Sequence, residues 1–244
     1  MPLTLATTSP GVPEIFASLQ GEGPSAGRPS TFIRLSRCNL ACVWCDTAYT
    51  WHFTGDERPH LGGETFERRA NQIDLPESEV AAAIMALGGD RLVVSGGEPL
   101  LQGNALARML GGVRGHHIEI ETNGTIAPHP ALDALVQQYN VSPKLAHSGN
   151  PGELALIPDR LAAWAADARA FFKFVVAKPE DLGEVLALQA EYAIPSSRLF
   201  VMPEGTTSAV LRTRSRWLAE VCMAHGLRLS DRLHIHLYGD TRGT

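Results

Sequence analysis

Three of the chain's four cysteines, Cys38, Cys42 and Cys45, fall within eight residues, in the segment RCNLACVWCDTAYTW at 37–51. Three thiolates on one short loop can hold a metal, and what completes the coordination decides which. Structural zinc takes four protein ligands. The remaining cysteine, Cys222, lies in the apolar helical pattern WLAEVCM, where a small buried residue is expected. His52 or His60 could complete a zinc site. A 4Fe–4S cluster held by three cysteines accounts for the shortage directly, because the fourth iron keeps a position open for a ligand that is not protein. A second chemically loaded segment reads Ser95-Gly96-Gly97-Glu98-Pro99 directly after a β-rich run, with glycines that let backbones approach closely.

Positioning such segments requires a regular frame. Runs of β character at 31–36, 91–95, 117–121, 139–142, 171–176, 199–202 and 233–237 alternate with helical patterns at 77–87, 101–110, 131–138, 158–168, 180–192 and 208–225. Strands separated by helices imply an α/β fold with a mostly parallel sheet, since a parallel crossover must return along the sheet face. Six such units suit a partial (β/α)6-type barrel, with a doubly wound open sheet as the alternative. The unusual polar residues each follow a strand: the cysteines, Gly96-Gly97-Glu98, Thr122-Asn123, Pro143-Lys144 and Pro203-Glu204-Gly205. In both folds the carboxyl ends of the strands share one rim, so these segments are expected to converge on one site. His234 and His236 alternate along the last run and are expected on one face, in structural roles.

Composition limits the alternatives. At 244 residues and 44% hydrophobic content the chain can bury an ordinary core. A net charge of -5 speaks against a basic nucleic-acid face. No apolar run approaches the roughly 20 residues of a spanning helix, and no basic region precedes an apolar core at the N-terminus. A cytoplasmic protein of one domain (1–244), binding neither nucleic acid nor membrane, is expected.

The Cys-x3-Cys-x2-Cys spacing, with Trp44 before the last cysteine and the Gly-Gly-Glu segment behind it, resembles the radical S-adenosylmethionine superfamily. Membership implies that S-adenosylmethionine chelates the open iron and that electron transfer cleaves it to a carbon radical. Glu98 is then placed to accept a hydrogen bond from the methionine ammonium. The segment EIFASLQGEGPSAGRPSTFIR at 14–34, the stretch Trp44-Cys45-Asp46-Thr47, Glu121-Thr122-Asn123-Gly124, Ser142-Pro143-Lys144 and His236-Leu237-Tyr238-Gly239 narrow this further. Together they resemble the 7-carboxy-7-deazaguanine synthase (QueE) family over nearly the whole chain, least over 56–74 and 145–170. The resemblance implies conversion of 6-carboxy-5,6,7,8-tetrahydropterin to 7-carboxy-7-deazaguanine with loss of ammonia, on a reduced barrel whose segment 14–52 carries substrate and cluster.

By the same resemblance, the pterin substrate would meet Gln20, Gly21 and Glu22, its carboxylate Arg34, with Ser95 at the border between substrate and cofactor. Gly96, Gly97, Glu98, Thr122, Asn123, Ser142 and Lys144 would form the cofactor pocket, and Thr47 would bind Mg²⁺. A flavodoxin- or ferredoxin-type electron donor and a homodimer are implied as well. Arg37 departs from the pattern, standing where many relatives carry glycine. Two rivals remain open at this level, an activase that places a radical on a partner protein and a zinc-stabilised binding module.

Overall fold

A computed structural model describes residues 2–244. An antiparallel group comes first: β1 (Leu3–Ser9), β2 (Val12–Pro13) and β3 (Ile15–Leu19) lead into β4 (Pro29–Leu35), and α1 (Arg68–Asn71) runs straight into β5 (Gln72–Leu75). Helices and strands then alternate. They are α2 (Glu77–Leu87), β6 (Arg91–Gly96), α3 (Gly103–Leu110), β7 (His117–Thr122), α4 (Pro130–Asp133), β8 (Gln138–Val141), α5 (Gly152–Ala155), α6 (Pro158–Ala166) and β9 (Ala170–Val176). The chain continues through α7 (Asp181–Glu191), β10 (Leu199–Pro203), α8 (Ser208–His225), β11 (Arg228–Leu229) and α9 (Leu233–Tyr238).

All strands form one sheet, ordered β11-β10-β9-β8-β7-β6-β4-β1-β2, with β3 also on β4 and β5 also on β1. From β4 to β11 every pairing is parallel. Spatial order there follows chain order without reversal. A doubly wound sheet reverses its strand order at a switch point; with right-handed crossovers, an unreversed order places all the helices on one face. The chain is therefore an unclosed (β/α) barrel, its first edge extended by the antiparallel β1, β2, β3 and β5.

The two faces of the sheet differ in kind. Residues directed toward the helices are apolar and buried: Ile33 and Leu35, Leu92 and Val94, Ile118 and Ile120, Tyr139 and Val141, Phe172 and Phe174, Leu199 and Val201. They pack on Val80 and Ile84 of α2, Leu106 of α3, Trp164 of α6, Val185 of α7 and Leu218 of α8. Each buried side chain of this size contributes about 1.5–3 kcal/mol, so this outer layer supplies most of the folding energy. Alternate residues face inward, and these are largely polar: Arg34, Arg91, Ser95, Glu119, Glu121, Gln138, Asn140 and Lys173.

Two expectations need correction. Residues 233–237 form the helix α9 rather than a strand, so His234 and His236 do not share a face. The expected helix at 131–138 stops at Asp133, and Gln138 instead opens β8 with its side chain in the barrel interior. The stretch between Thr50 and α1 is held by an isolated bridge between Phe53 and Phe66.

Candidate active site

Beyond Leu35 the chain leaves β4 through Ser36 and Arg37, whose φ of 78° is left-handed. It then folds so that Cys38, Cys42 and Cys45 line one cavity at the carboxyl rim. Each sulfur has an N–H group beside it. Trp51 Nε1 lies 3.3 Å from Cys45 Sγ, Asn150 Nδ2 3.3 Å from Cys42 Sγ, and Asn123 Nδ2 4.0 Å from Cys38 Sγ. Burial pushes the thiols up, Cys38 to about 12 and Cys45 to about 11, with the neighbouring acids and cysteines adding to it. Metal-free, they are protonated; ligation must displace those protons.

A mononuclear zinc site does not fit these residues. His52 Nδ1 lies 2.7 Å from the Glu64 carbonyl oxygen and His60 Nε2 2.9 Å from that of Cys45, with both rings packed around Trp51. Neither lines the cavity. Cys222 is buried in α8, as its apolar surroundings foretold. Three thiols around a common space, each facing an N–H donor, suit an iron–sulfur cube with one corner left to another ligand.

The glycine segment leaves β6 against the same loop. A Cβ on Gly96 would lie 2.1 Å from the Leu35 carbonyl oxygen, and one on Gly97 2.2 Å from that of Arg37. The glycines are thus required by the protein's own backbone, and both residues also line the cavity. Glu98 departs from expectation. Its fully buried carboxylate accepts from Leu100 N at 2.9 Å, Thr122 Oγ1 at 2.9 Å and Asn123 N at 2.7 Å. Burial raises its carboxyl above the ordinary value. It does not line the cavity; it ties the rim of β6 to that of β7. Thr122, Asn123, Ser142 and Lys144 do line the cavity, with Lys144 Nζ 2.8 Å from Ser142 Oγ and 5.8 Å above the Trp44 ring.

The opposite wall is built from charges. Gln20, Gly21 and Glu22 enter the barrel as a loop, and Gln20 Nε2 donates to Glu119 Oε1 at 2.8 Å. Glu119 is also paired with Arg91 at 2.7 Å, which makes a polar floor beneath the site. Glu22 is held between Lys173 and Arg232, with Arg232 Nε at 3.0 Å. Burial opposes its charge, but the two cations outweigh that and hold the carboxyl well below the ordinary range. Arg232 also pairs with Asp46, beside the last cysteine. Arg34 pairs through Nε with Glu14 at 2.8 Å while its side chain still lines the cavity. Ser95 Oγ donates to Glu121 at 2.8 Å, and Thr47 Oγ1 lies 3.6 Å from Cys45 Sγ.

Every site residue expected from the sequence except Glu98 therefore reaches one cavity. Sequence reasoning missed Asp46, Glu121, Lys173, Arg232 and His234, which line it too. Lys173 carried a usable signal, a charged residue in a strand whose other positions are apolar.

An unclosed parallel barrel with three thiols at its carboxyl rim and a glycine turn packed against them defines a radical S-adenosylmethionine protein. The model of the radical SAM superfamily matches residues 32–142. The chain is 35% identical over 241 residues to the 7-carboxy-7-deazaguanine synthase of Pyrobaculum aerophilum, covering 98% of this chain and 99% of that one. It is 37% identical over 255 residues to the synthase of Halobacterium salinarum, covering 95% and 91%. The crystal structure of QueE from Escherichia coli superposes with a TM-score of 0.64 at 25% identity, covering 95% of each chain. The chain belongs to the 7-carboxy-7-deazaguanine synthase family. A 4Fe–4S cluster and S-adenosylmethionine follow from its superfamily.

Proposed function

We propose that this chain converts 6-carboxy-5,6,7,8-tetrahydropterin to 7-carboxy-7-deazaguanine with release of ammonia, in the biosynthesis of 7-deazapurines such as queuosine. The observation that carries this reading is a single cavity joining the three thiols to the wall of Gln20, Glu22, Arg34 and Lys173. When bound, the cluster and S-adenosylmethionine supply the carbon radical that takes a hydrogen atom from the substrate.

The chain's own residues bind and orient. Arg34 offers the substrate carboxylate the guanidinium edge that Glu14 leaves free. Gln20, Gly21 and Glu22 present backbone and side-chain groups to the amide and amidine edge of the pterin, with Ser95 alongside. Gly96, Gly97, Thr122, Asn123, Ser142 and Lys144 hold the cofactor, while Glu98 fixes the rim that carries Thr122 and Asn123. Thr47 would hold Mg²⁺, which would supply Lewis-acid polarisation at the substrate carboxylate. Electrons come from a flavodoxin- or ferredoxin-type donor, and the enzyme works as a homodimer.

Anaerobic reconstitution followed by turnover of the carboxypterin tests the reading. The expected result is one ammonia released per deazaguanine formed. A brown, iron-loaded protein that cleaves S-adenosylmethionine yet leaves the carboxypterin untouched would overturn the substrate assignment.

A further inference from the structure

Two side chains outside the substrate and cofactor sets reach the cluster sulfurs. An indole nitrogen is a donor only, so Trp51 must donate to Cys45 Sγ. The orientation of the Asn150 amide is fixed by its other end. Oδ1 accepts from the Ala41 backbone N–H at 2.8 Å, an N–H cannot accept, and the nitrogen must therefore face Cys42 Sγ. Both groups are held in place by what surrounds them. Trp51 is buried, with Arg58 4.7 Å above its ring and His52 and His60 against it. Asn150 hangs from a loop docked on the cysteine segment by the Val43 N–H bond to the Ser148 carbonyl at 2.9 Å. A Cβ on the intervening Gly149 would meet Val43 at 2.7 Å, so the two loops are in direct contact.

We propose that Trp51 and Asn150 are positioning residues that set the reduction potential of the iron–sulfur cluster. An iron-bound thiolate has lost its proton and can only accept, so both N–H···S bonds persist on loading and become charge-assisted. One-electron reduction, supplied by the external donor, adds negative charge to the cluster and its sulfurs. A donor aimed at a sulfur stabilises that more negative state, and so raises the potential. The inference rests on the cluster being present and not on which substrate is turned over.

The test compares wild type, Trp51→Phe and Asn150→Asp after anaerobic reconstitution, by iron content and by redox titration followed with electron paramagnetic resonance. Trp51→Phe keeps an aromatic ring beneath Arg58 and loses the donor together with the rest of the indole's five-membered ring. Asn150→Asp keeps the acceptor for Ala41 and replaces the donor with a carboxylate. The expected result is a full cluster in each, with the reduced-to-oxidised ratio at a fixed potential about tenfold lower, equal to about 59 mV for a one-electron couple. Iron-loaded Trp51→Phe with the wild-type midpoint would overturn the proposal, as would loss of the cluster from both variants, which would make the residues structural. Should Asn150→Asp alone lose iron, the Trp51→Phe midpoint decides. Wild-type protein without a cubane spectrum would instead sink the cluster reading itself.

Discussion

Arg37 holds a left-handed backbone immediately before the first cluster cysteine, with its N–H bonded to the Thr50 carbonyl and its own carbonyl accepting from Glu98 N. A side chain in that region costs about 1–2 kcal/mol, partly offset by the roughly 0.5–1 kcal/mol of entropy that glycine loses on folding. Arg37→Gly should raise the melting temperature by about 2–4 °C, measurable by calorimetry, and an unchanged or lower value would show that the exposed side chain contributes more than strain removes. At Glu22 the sign is opposite. Its carboxyl lies well below the ordinary 4.5, so its contribution is complete above pH 4.5 and is lost as pH falls toward the lowered value. Glu22→Gln removes one of two acidic partners from each cation, since Lys173 keeps Glu121 at 3.7 Å and Arg232 keeps Asp46, and should destabilise the fold by roughly 1–3 kcal/mol at neutral pH. Denaturant titrations across the acid range should show a flatter loss for the variant below pH 4.5. Thr47→Ala should need roughly tenfold more Mg²⁺ for half-maximal turnover; indifference of both proteins to the metal would remove Thr47 from that role. The cysteines and glycines were legible because their spacing is local. Arg232 was not, since it acquires meaning only by meeting Glu22 across 210 residues.

Elements were most legible where periodicity ran long. The bounds of α2 and α8 agree with the sequence expectation, and the six parallel strands from β4 to β10 lie within two residues of theirs. Short patterns misled. Leu233-His234-Ile235-His236-Leu237 alternates like a strand, yet five residues of alternation do not exclude one and a half helical turns. The decision was tertiary: Leu233 N donates to the Gly21 carbonyl at 2.9 Å and Ile235 is buried, which docks α9 on the loop of Gln20, Gly21 and Glu22. Gly21 meets that helix with no room to spare, because a Cβ would lie 2.1 Å from His234 Nδ1 and 3.1 Å from the His234 backbone nitrogen. Gly21→Ala should displace α9, lower the melting temperature and weaken carboxypterin binding by more than tenfold, while iron content stays near wild type because the N–H donors to the sulfurs come from Trp51, Asn123 and Asn150 and not from α9. Tight binding retained in that variant, measured by equilibrium titration, would show that α9 is not needed to close the wall. The overlong helix at 131–138 failed for a related reason. Gln138 looks helix-compatible in sequence, but inside the barrel its amide contacts Ser25 and Asn140.

For the molecule as a whole, the unreversed strand order separates two jobs. The outer layer carries the core, and the inner face carries charge. No helix among the described residues is long and apolar enough to cross a membrane. A wall of this kind gains stability from what it binds. S-adenosylmethionine at a hundredfold over its dissociation constant should add about 2.7 kcal/mol, or roughly 5–10 °C in melting temperature. Iron chelation should abolish most of that shift, and an undiminished shift would mean that the cofactor binds without the cluster. The open seam carries a further implication for biogenesis. Gly23 N reaches Ser230 Oγ and Glu22 reaches Lys173 and Arg232, so the early loop finds these partners only 207, 151 and 210 residues further along the chain. During vectorial synthesis the sulfur ligands emerge long before those partners do. The nascent polypeptide therefore carries that acid without either counterion until Lys173 has emerged, and without the second until Arg232 has.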